Sequence, residues 1–175
     1  MVALQACTES KRRAARKTKG LKELLEREKF DGICAGIRRD EEGTRAKERV
    51  FSPRNLDAGW DVRDQPPELW GLYNTDFPPG THVRVHPILH WSEIDIWRYV
   101  ERENIPVVDL YFAKDGKRYR SLGDQDITHP VASEAATVAE IITELEQTSI
   151  AERSGRAMDN EEEDSFERLR AEGYM

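Results

Sequence analysis

The sequence predicts an α/β fold in which helices cover a mostly parallel sheet. Three observations support this prediction. Leucines at helical spacing precede a short apolar run, Asp31–Ile37, which is typical of a helix followed by a buried strand. Polar and apolar residues then alternate from His82 to Ile88, as they do in a second strand. Two amphipathic segments follow, and each begins with residues that cap helices.

Length and composition indicate one domain with a small apolar core. The chain has 175 residues, which fits a single core with short extensions. Its formal net charge is −7, from 27 basic and 34 acidic residues, and this argues against a general attraction to nucleic acid or to anionic membranes. Hydrophobic residues make up only 38 % of the chain. We therefore expect part of the core to come from another chain.

Cysteine usage and the lack of long apolar runs predict a cytoplasmic protein. Cys7 and Cys34 are the only cysteines, too few for a disulfide framework or a zinc knuckle. No apolar run approaches the roughly 20 residues that span a bilayer. The first residues, Met1–Lys11, lack the apolar stretch of a secretory signal. We expect neither a membrane nor a nucleic acid as a partner.

The first half of the chain predicts one helix, two strands and a long loop. The basic segment Glu9–Lys29 predicts a helix that ends near Phe30. The two glycines of Asp31–Ile37 indicate a buried strand whose backbone some other group approaches closely. The segment Val50–Gly80 has five prolines and three glycines, so we expect a long loop. Pro87 limits the strand that begins at His82 to an edge or an end.

The second half of the chain predicts helices. Ser92 can cap a helix with Asp95 three residues on, and that helix is expected to end at Asn104. Thr137 and Glu140 form a capping box for another helix. The apolar residues at helical spacing are Ile94, Trp97 and Val100 in the first helix, and Val138, Ile141, Ile142 and Leu145 in the second. A final short helix is expected from about Glu161 to Ala171.

The segment Arg38–Arg49, with the sequence RRDEEGTRAKER, is the strongest candidate for chemistry. It directly follows a predicted strand, and ligands of open α/β sheets bind beyond the carboxyl ends of strands. Its five cations could neutralise the phosphates of a nucleotide and an incoming oxyanion. These cations are Arg38, Arg39, Arg45, Lys47 and Arg49. A surface loop of mutual salt bridges is the alternative, and the charge pattern by itself favours it.

No residue is assigned as a metal ligand. His82, His86 and His90 are four residues apart, and on a strand such residues lie about 13 Å from one another, too far to share one ion. Asp40, Glu41 and Glu42 could hold magnesium beside phosphates, but adjacent carboxylates more often pair with neighbouring arginines. The basic residues near the N-terminus have no aromatic residues between them, which favours a solvated helix face over a nucleic-acid site.

Several long motifs occur in an order that identifies a known family. They are FDGICAGIRRDEEGTRAKERVFSPR, PPELW, HVRVHPILHWSEIDIWRYVERENIPVVDLYF, YRSLG and ERSGRAMD, with GYM at the end. These motifs resemble the ATP-using small subunit, subunit 2, of bacterial sulfate adenylyltransferases. That family belongs to the PP-loop ATP pyrophosphatase and PAPS reductase superfamily. The resemblance extends from about Lys17 to Met175.

The resemblance implies a fold, an activity and partners. The fold would be an incomplete adenine nucleotide alpha hydrolase-like layer, with residues 1–130 as part of the nucleotide-binding domain and residues 131–175 as a helical C-terminal extension. The activity would be adenylyl transfer from ATP to sulfate, giving adenosine 5′-phosphosulfate and pyrophosphate, with Mg²⁺ accompanying ATP. The partner would be a GTP-binding large subunit.

The resemblance also assigns roles within the charged segment. Arg38 and Arg39 would contact phosphate or sulfate, and Asp40 and Glu41 would organise the loop. The remaining cations would bind substrate or nucleotide, namely Arg45, Lys47 and Arg49.

One departure from the family changes the expected activity. Members of the family begin with a strand and a loop close to SGGKDS, whose backbone amides hold the pyrophosphate end of ATP. Nothing in Met1–Gly32 resembles this loop. We therefore expect a truncated or split gene product that is not active alone, or a non-catalytic remnant that binds the GTPase subunit. A PAPS or APS reductase is excluded, because it would need a cysteine near the C-terminus and none follows Cys34.

Overall fold

The protein is described here from a computed structural model, which places residues 16–41, 43–54, 59–61, 63, 65–123, 128–150 and 152. These residues form two compact units. The first comprises the described residues of Met1–Arg38 and Thr44–Leu89, and the second those of Arg39–Gly43 and His90–Glu161. No helix in the described ranges is long and apolar enough to cross a membrane. The domain boundary expected at residue 130 stays a prediction.

The first unit starts with a helix and a short strand. The helix, α1, covers residues 16–28, and the strand, β1, covers Gly32–Cys34. Lys29 has a φ of 53°, in the left-handed region, and its N–H donates to the Leu25 carbonyl. This geometry ends the helix and confirms the end predicted near Phe30. The predicted residues 9–15 of this helix lie outside the described ranges.

Two more strands complete the sheet of the first unit. They are β2 (Phe51–Arg54) and β3 (His82–Val85), and the strand order is β1-β3-β2. β1 and β3 are parallel, while β2 runs antiparallel to β3. The α/β class is confirmed. The described sheet is mixed rather than mostly parallel. The strand β2 comes between β1 and β3 in the chain and pairs with the edge of β3 that β1 leaves open, and antiparallel edge strands of this kind are common.

Two expectations about this sheet were wrong in detail. β2 lies within the segment expected to be a loop. It forms because the Glu68 carboxylate accepts hydrogen bonds from the N–H groups of Val50 and Phe51, both at 2.8 Å, and Pro53 is tolerated in an edge strand. β1 is shorter than expected and is not a buried strand, since Gly32 and Cys34 are exposed at an edge of the described sheet.

The close backbone approach predicted from the glycines is confirmed at Gly32. A Cβ built on Gly32 would lie 3.0 Å from the carbonyl oxygen of Val83 on β3. The strand β3 ends two residues before Pro87, which confirms that this proline limits the strand at its end. A small apolar core lies beside the sheet and contains Ile37, Val50 and Leu89.

The second unit is built on two helices, and both predicted helices are confirmed. They are α2 (Glu93–Glu103) and α3 (Val138–Gln147), and each begins with the predicted capping box. Asn104 ends α2 in the left-handed conformation. The helices enclose a core of Trp97, Val100, Ala135, Ile141 and Leu145. The helix expected from Glu161 to Ala171 lies outside the described residues.

A two-stranded ribbon in the second unit carries a buried ion pair. β4 (Lys117–Arg118) and β5 (Val131–Ala132) are antiparallel. The Arg118 side chain is buried and donates through Nε and Nη2 to Oε1 of Glu144, at 3.2 and 2.7 Å. Ser133 donates to the other carboxylate oxygen. Burial raises the pKa of Glu144, but the hydrogen bonds from Arg118 and Ser133 outweigh it, so the pKa is lowered from its ordinary 4.5.

Gly32→Ala tests the close approach of β1 and β3. The new methyl group would meet the Val83 backbone, so we expect a loss of about 1–3 kcal/mol in the free energy of unfolding, measured with urea. Gly20→Ala is the matched control, because Gly20 lies in α1 with open space around it. It should stabilise the chain by about 0.5–1 kcal/mol. Equal effects of the two substitutions would contradict the proposed strand contact.

Glu144→Gln tests the buried ion pair of the second unit. Losing the charged hydrogen bonds of buried Arg118 should cost about 1.5–3 kcal/mol at neutral pH, measured by urea unfolding. Because the folded-state pKa of Glu144 is lowered, this stabilisation is present above pH 4.5 and is lost as the pH falls through the folded-state pKa. The control is Glu146→Gln, on the same helix as Glu144. It removes an exposed ion pair with Arg98 of α2 and should change stability by less than about 0.5 kcal/mol.

Candidate functional site

The sheet of the first unit buries a charged face. Strand pairing sets Ser52 opposite Arg84 and Arg54 opposite His82, so these four side chains share one side of the sheet, and His86 follows in the same alternation. We call these five residues the charged face. Arg54 and Arg84 are each 3 % exposed, and His86 is 1 % exposed. A sheet ordinarily buries its apolar side, because burying charge is costly unless the charge is paired.

Arginines outnumber carboxylates among the buried side chains described here. In the described part of the first unit, the buried charged side chains are four arginines and one carboxylate. They are Arg38, Arg45, Arg54, Arg84 and Glu48. Glu48 lies between Arg54 and His86, with Oε1 4.0 Å from Nη2 of Arg54 and Oε2 3.9 Å from Nδ1 of His86. Guanidinium groups are the side chains that bind oxyanions best, so a surface rich in them is a candidate anion site.

Arg84 shows this excess most directly. Its Nε is buried and has no hydrogen-bond partner among the described residues. Burial lowers the pKa of Arg84, while Glu48 raises it. Even so, a guanidinium keeps its proton at neutral pH. A buried cation with a free donor is a group that an oxyanion would satisfy.

The two histidines of the charged face are neutral at neutral pH. Nδ1 of His86 lies 2.7 Å from the carbonyl oxygen of Arg49, which only accepts, so Nδ1 carries the proton. Burial lowers the pKa of His86, and the Arg49 carbonyl and Glu48 only partly oppose this. Burial also lowers the pKa of His82, with help from the positive charges of Arg84 and Arg54.

A cavity of about 750 Å³ in the first unit reaches this face through Arg54. Its lining also includes Gln65, the carboxylate of Asp76, and Arg63 in an ion pair with Asp61. Gln65 is held in place because it accepts from the Ser52 hydroxyl at 2.7 Å and donates to the Pro53 carbonyl. The volume falls within the range of small-molecule sites. A ligand could therefore approach the charged face from this side.

The predicted cations of the first unit differ in their surroundings. Arg38 is 7 % exposed and Arg45 is 4 % exposed, whereas Lys47 is exposed at the end of a 3₁₀ turn, Gly43–Lys47. The guanidinium of Arg49 donates to the carbonyl oxygens of Pro66, Lys47 and Glu48. Arg49 thus binds backbone and fixes the course of the chain beside β2.

The other predicted residues belong to the second unit. Nη1 of Arg39 lies 2.7 Å from Nδ1 of His90. Oδ2 of Asp40 accepts from the N–H of Glu93 at 2.7 Å, and Glu93 is the first residue of α2. A carboxylate at a helix N-terminus is stabilised by the helix dipole. Glu41 is half-buried. Among the described residues, no group of three His, Cys, Asp or Glu side chains could hold a metal ion.

Most of the charged face was not predicted from the sequence. Arg54 was assigned to a loop, and the polar side of the strand that begins at His82 was weighed only for metal binding. Glu48, which lies beside the charged face, was assigned no role. The signal available was an arginine between two histidines on one face of a strand. The sequence could not reveal that Arg84 and His86 are more deeply buried than Val83 and Val85.

Comparison with known proteins identifies the family. Residues 4–130 match the family model described as phosphoadenosine phosphosulfate reductase domain, and the chain belongs to this family. It is also similar to curated proteins named sulfate adenylyltransferase subunit 2. The relative from Trichlorobacter lovleyi is 42 % identical and that from Azospirillum brasilense 43 % identical, each over 91 % of this chain and 62 % of the relative. The chain thus spans about three fifths of the length of these relatives.

The buried histidines predict a pH dependence of stability. The pKa values of His82 and His86 are lower in the folded state than the ordinary value of 6.5. The free energy of unfolding is therefore largest above pH 6.5 and decreases as the pH falls toward the folded-state pKa values. The slope can reach about 1.4 kcal/mol per pH unit for each proton. His86→Asn keeps a donor for the Arg49 carbonyl but does not titrate, so it should flatten this slope in urea unfolding between pH 7 and 5.

The control for this experiment is His129→Asn. His129 is exposed in the second unit, so this substitution should not change the slope of stability against pH. A slope that His86→Asn does not change would contradict the inference that His86 is buried as the neutral form.

Proposed function

We propose that this chain takes part in the transfer of an adenylyl group from ATP to sulfate, giving adenosine 5′-phosphosulfate and pyrophosphate. The names of the relatives suggest this reaction, and the charged face is the observation that supports it in this chain. The substrates and products are all oxyanions. A buried excess of arginine in the first unit suits such ligands.

The reaction needs positioning and charge rather than covalent catalysis by the protein. A sulfate oxygen attacks the α-phosphorus of ATP in line, the bond to the bridging oxygen breaks, and pyrophosphate leaves with the bonding electrons. Fixed cations stabilise the charge that develops on the non-bridging and leaving oxygens. In this proposal Arg38 and Arg39 contact phosphate or sulfate, and Arg45 and Lys47 bind substrate. Arg84 on the charged face adds a cation that sequence analysis did not assign.

Three residues organise the charged segment in this proposal. The contact of Asp40 with the first turn of α2 supports a role in fixing the loop rather than in contacting substrate. Glu41, the next residue along the chain, is proposed to help in the same task. Arg49 was expected to bind substrate or nucleotide. Its guanidinium donates to three carbonyl oxygens, so its proposed contribution to binding is to hold the backbone beside the site in place.

Magnesium is proposed to arrive with ATP rather than to be held by the protein. The described residues fit a protein-bound metal poorly, because Glu48 is the only buried carboxylate near the charged face and arginines surround it. Magnesium in nucleotide enzymes commonly takes phosphate oxygens and water as most of its ligands. We also propose a GTP-binding large subunit as partner and the cytoplasm as the location.

A pyrophosphate-release assay tests the proposed reaction. The chain is incubated with ATP, Mg²⁺ and sulfate, first alone and then with the GTP-binding subunit and GTP from the same organism. Sulfate-dependent release that needs this chain supports the proposal. Absence of release in both arms, together with co-purification of the two proteins, would instead favour the non-catalytic binding role.

Arg84→Met separates a functional role of the charged face from a structural one. Replacing a buried arginine whose Nε has no partner among the described residues by an apolar side chain of similar length removes the cost of burying that charge, so stability should not fall. The same change should weaken pyrophosphate binding at least about tenfold in calorimetry, because a charged contact is lost. Arg27→Met removes an exposed arginine of α1 and should affect neither quantity. Loss of stability with unchanged binding would contradict the assignment.

A further inference from the structure

We propose that an oxyanion binds the charged face together with a proton, and that His82 takes up that proton. This inference rests on the proposed function, because it concerns the same site. It adds a regulation by pH that neither the charge of the arginines nor the family implies.

His82 is the chain neighbour of a residue that lines the cavity and pairs across the sheet with another. Strand pairing sets it opposite Arg54, and its neighbour Thr81 lines the same cavity that Arg54 lines. Both ring nitrogens of His82 are buried and lack a hydrogen-bond partner among the described residues. A neutral imidazole offers one N–H donor and one acceptor, so two hydrogen-bonding positions of this ring face no described protein group. Buried polar groups of this kind are ordinarily satisfied by a ligand or by water.

The charges around His82 connect its protonation to anion binding. Burial disfavours the imidazolium most, the positive charges of Arg84 and Arg54 add to this, and Asp31 before β1 opposes it. An oxyanion bound at Arg84, whose Nε lacks a partner among the described residues, would offset these positive charges and so favour the protonated ring. The protonated ring would then donate N–H to the anion as a charge-assisted hydrogen bond. By linkage, anion affinity must rise as the pH falls toward the pKa of the free ring.

His86 is the alternative acceptor for this proton. Its Nδ1–H is donated to the Arg49 carbonyl, so a second proton would enter at Nε2, which is also buried without a partner among the described residues. Glu48 lies 3.9 Å from Nδ1 and favours the charged ring with or without an anion, while Arg54 and Arg45 disfavour it. The proton is assigned to His82 because its chain neighbour Thr81 lines the cavity, and the experiment includes His86 as the competing site.

Calorimetry with sulfate tests the proposal on the full chain. Sulfate stays fully ionised between pH 5 and 8, about the range in which histidine titrates, so any proton taken up belongs to the protein. Sulfate is titrated at pH 6 in two buffers with different ionisation enthalpies, which gives the number of protons bound. We expect uptake approaching about one proton per sulfate, and an affinity that rises up to about tenfold per pH unit on acidification.

Three variants assign the proton to a residue. His82→Gln should bind sulfate with no proton uptake and with an affinity that does not depend on pH. His129→Gln, which changes an exposed histidine of the second unit, should behave like the unchanged protein. His86→Gln should retain the uptake. Because His82→Gln could fail to fold, a ring-proton NMR titration of the unchanged protein provides a second measurement, in which sulfate should raise one histidine pKa by about one unit or more.

The outcomes separate this inference from the proposed function. Absence of sulfate binding at every pH would overturn the anion site itself and this inference with it. Sulfate binding without proton uptake would leave the proposed function standing and overturn only the role of His82. Proton uptake that disappears in His86→Gln and persists in His82→Gln would overturn the assignment to His82.

Discussion

The balance between buried arginines and a single carboxylate is the constraint on which the first unit depends. Arg54 and Arg84 extend from neighbouring strands into the interior, and Glu48 is the only described carboxylate buried with them. Burying charged side chains costs free energy even where they are paired. The backbone pairing of β2 with β3, the hydrogen bonds from Val50 and Phe51 to Glu68, and the Ser52–Gln65 contact help to offset that cost. The sheet is therefore held by its backbone and its polar supports as much as by its small apolar core.

The second unit handles buried charge in a different way. Arg118 is paired with Glu144, and Arg120 donates to both oxygens of Glu93. Each of these arginines has a carboxylate of its own, and the apolar core between α2 and α3 lies beside them. Paired charges of this kind fix geometry. In the first unit Nε of buried Arg84 has no partner among the described residues, and this is the reason to propose the anion site there.

Local signals were sufficient to predict the two helices of the second unit, but not its ribbon of β4 and β5 or the strand β2 of the first unit. The capping boxes at Ser92 and Thr137 involve residues three apart, so the sequence predicts both helices without knowledge of the fold. The strand β2 depends on Glu68, which is 17 or 18 residues away from the N–H groups it binds, and a proline inside β2 concealed it. The charged face depends on which side of a sheet is buried. Tertiary packing decides which side is buried, and the alternating pattern of a strand is the same whichever side faces the core.

The buried arginines of the first unit also affect the choice of buffer for this protein. Any anion that binds only the folded chain stabilises it by mass action, by about 2.7 kcal/mol at one hundred times the dissociation constant. Under the proposed function, sulfate and phosphate in a buffer are ligands rather than inert salts, whereas chloride mainly screens charge. The melting temperature is then a joint property of the chain and the buffer anion. Purification in a weakly binding anion would expose the intrinsic, lower stability of the first unit.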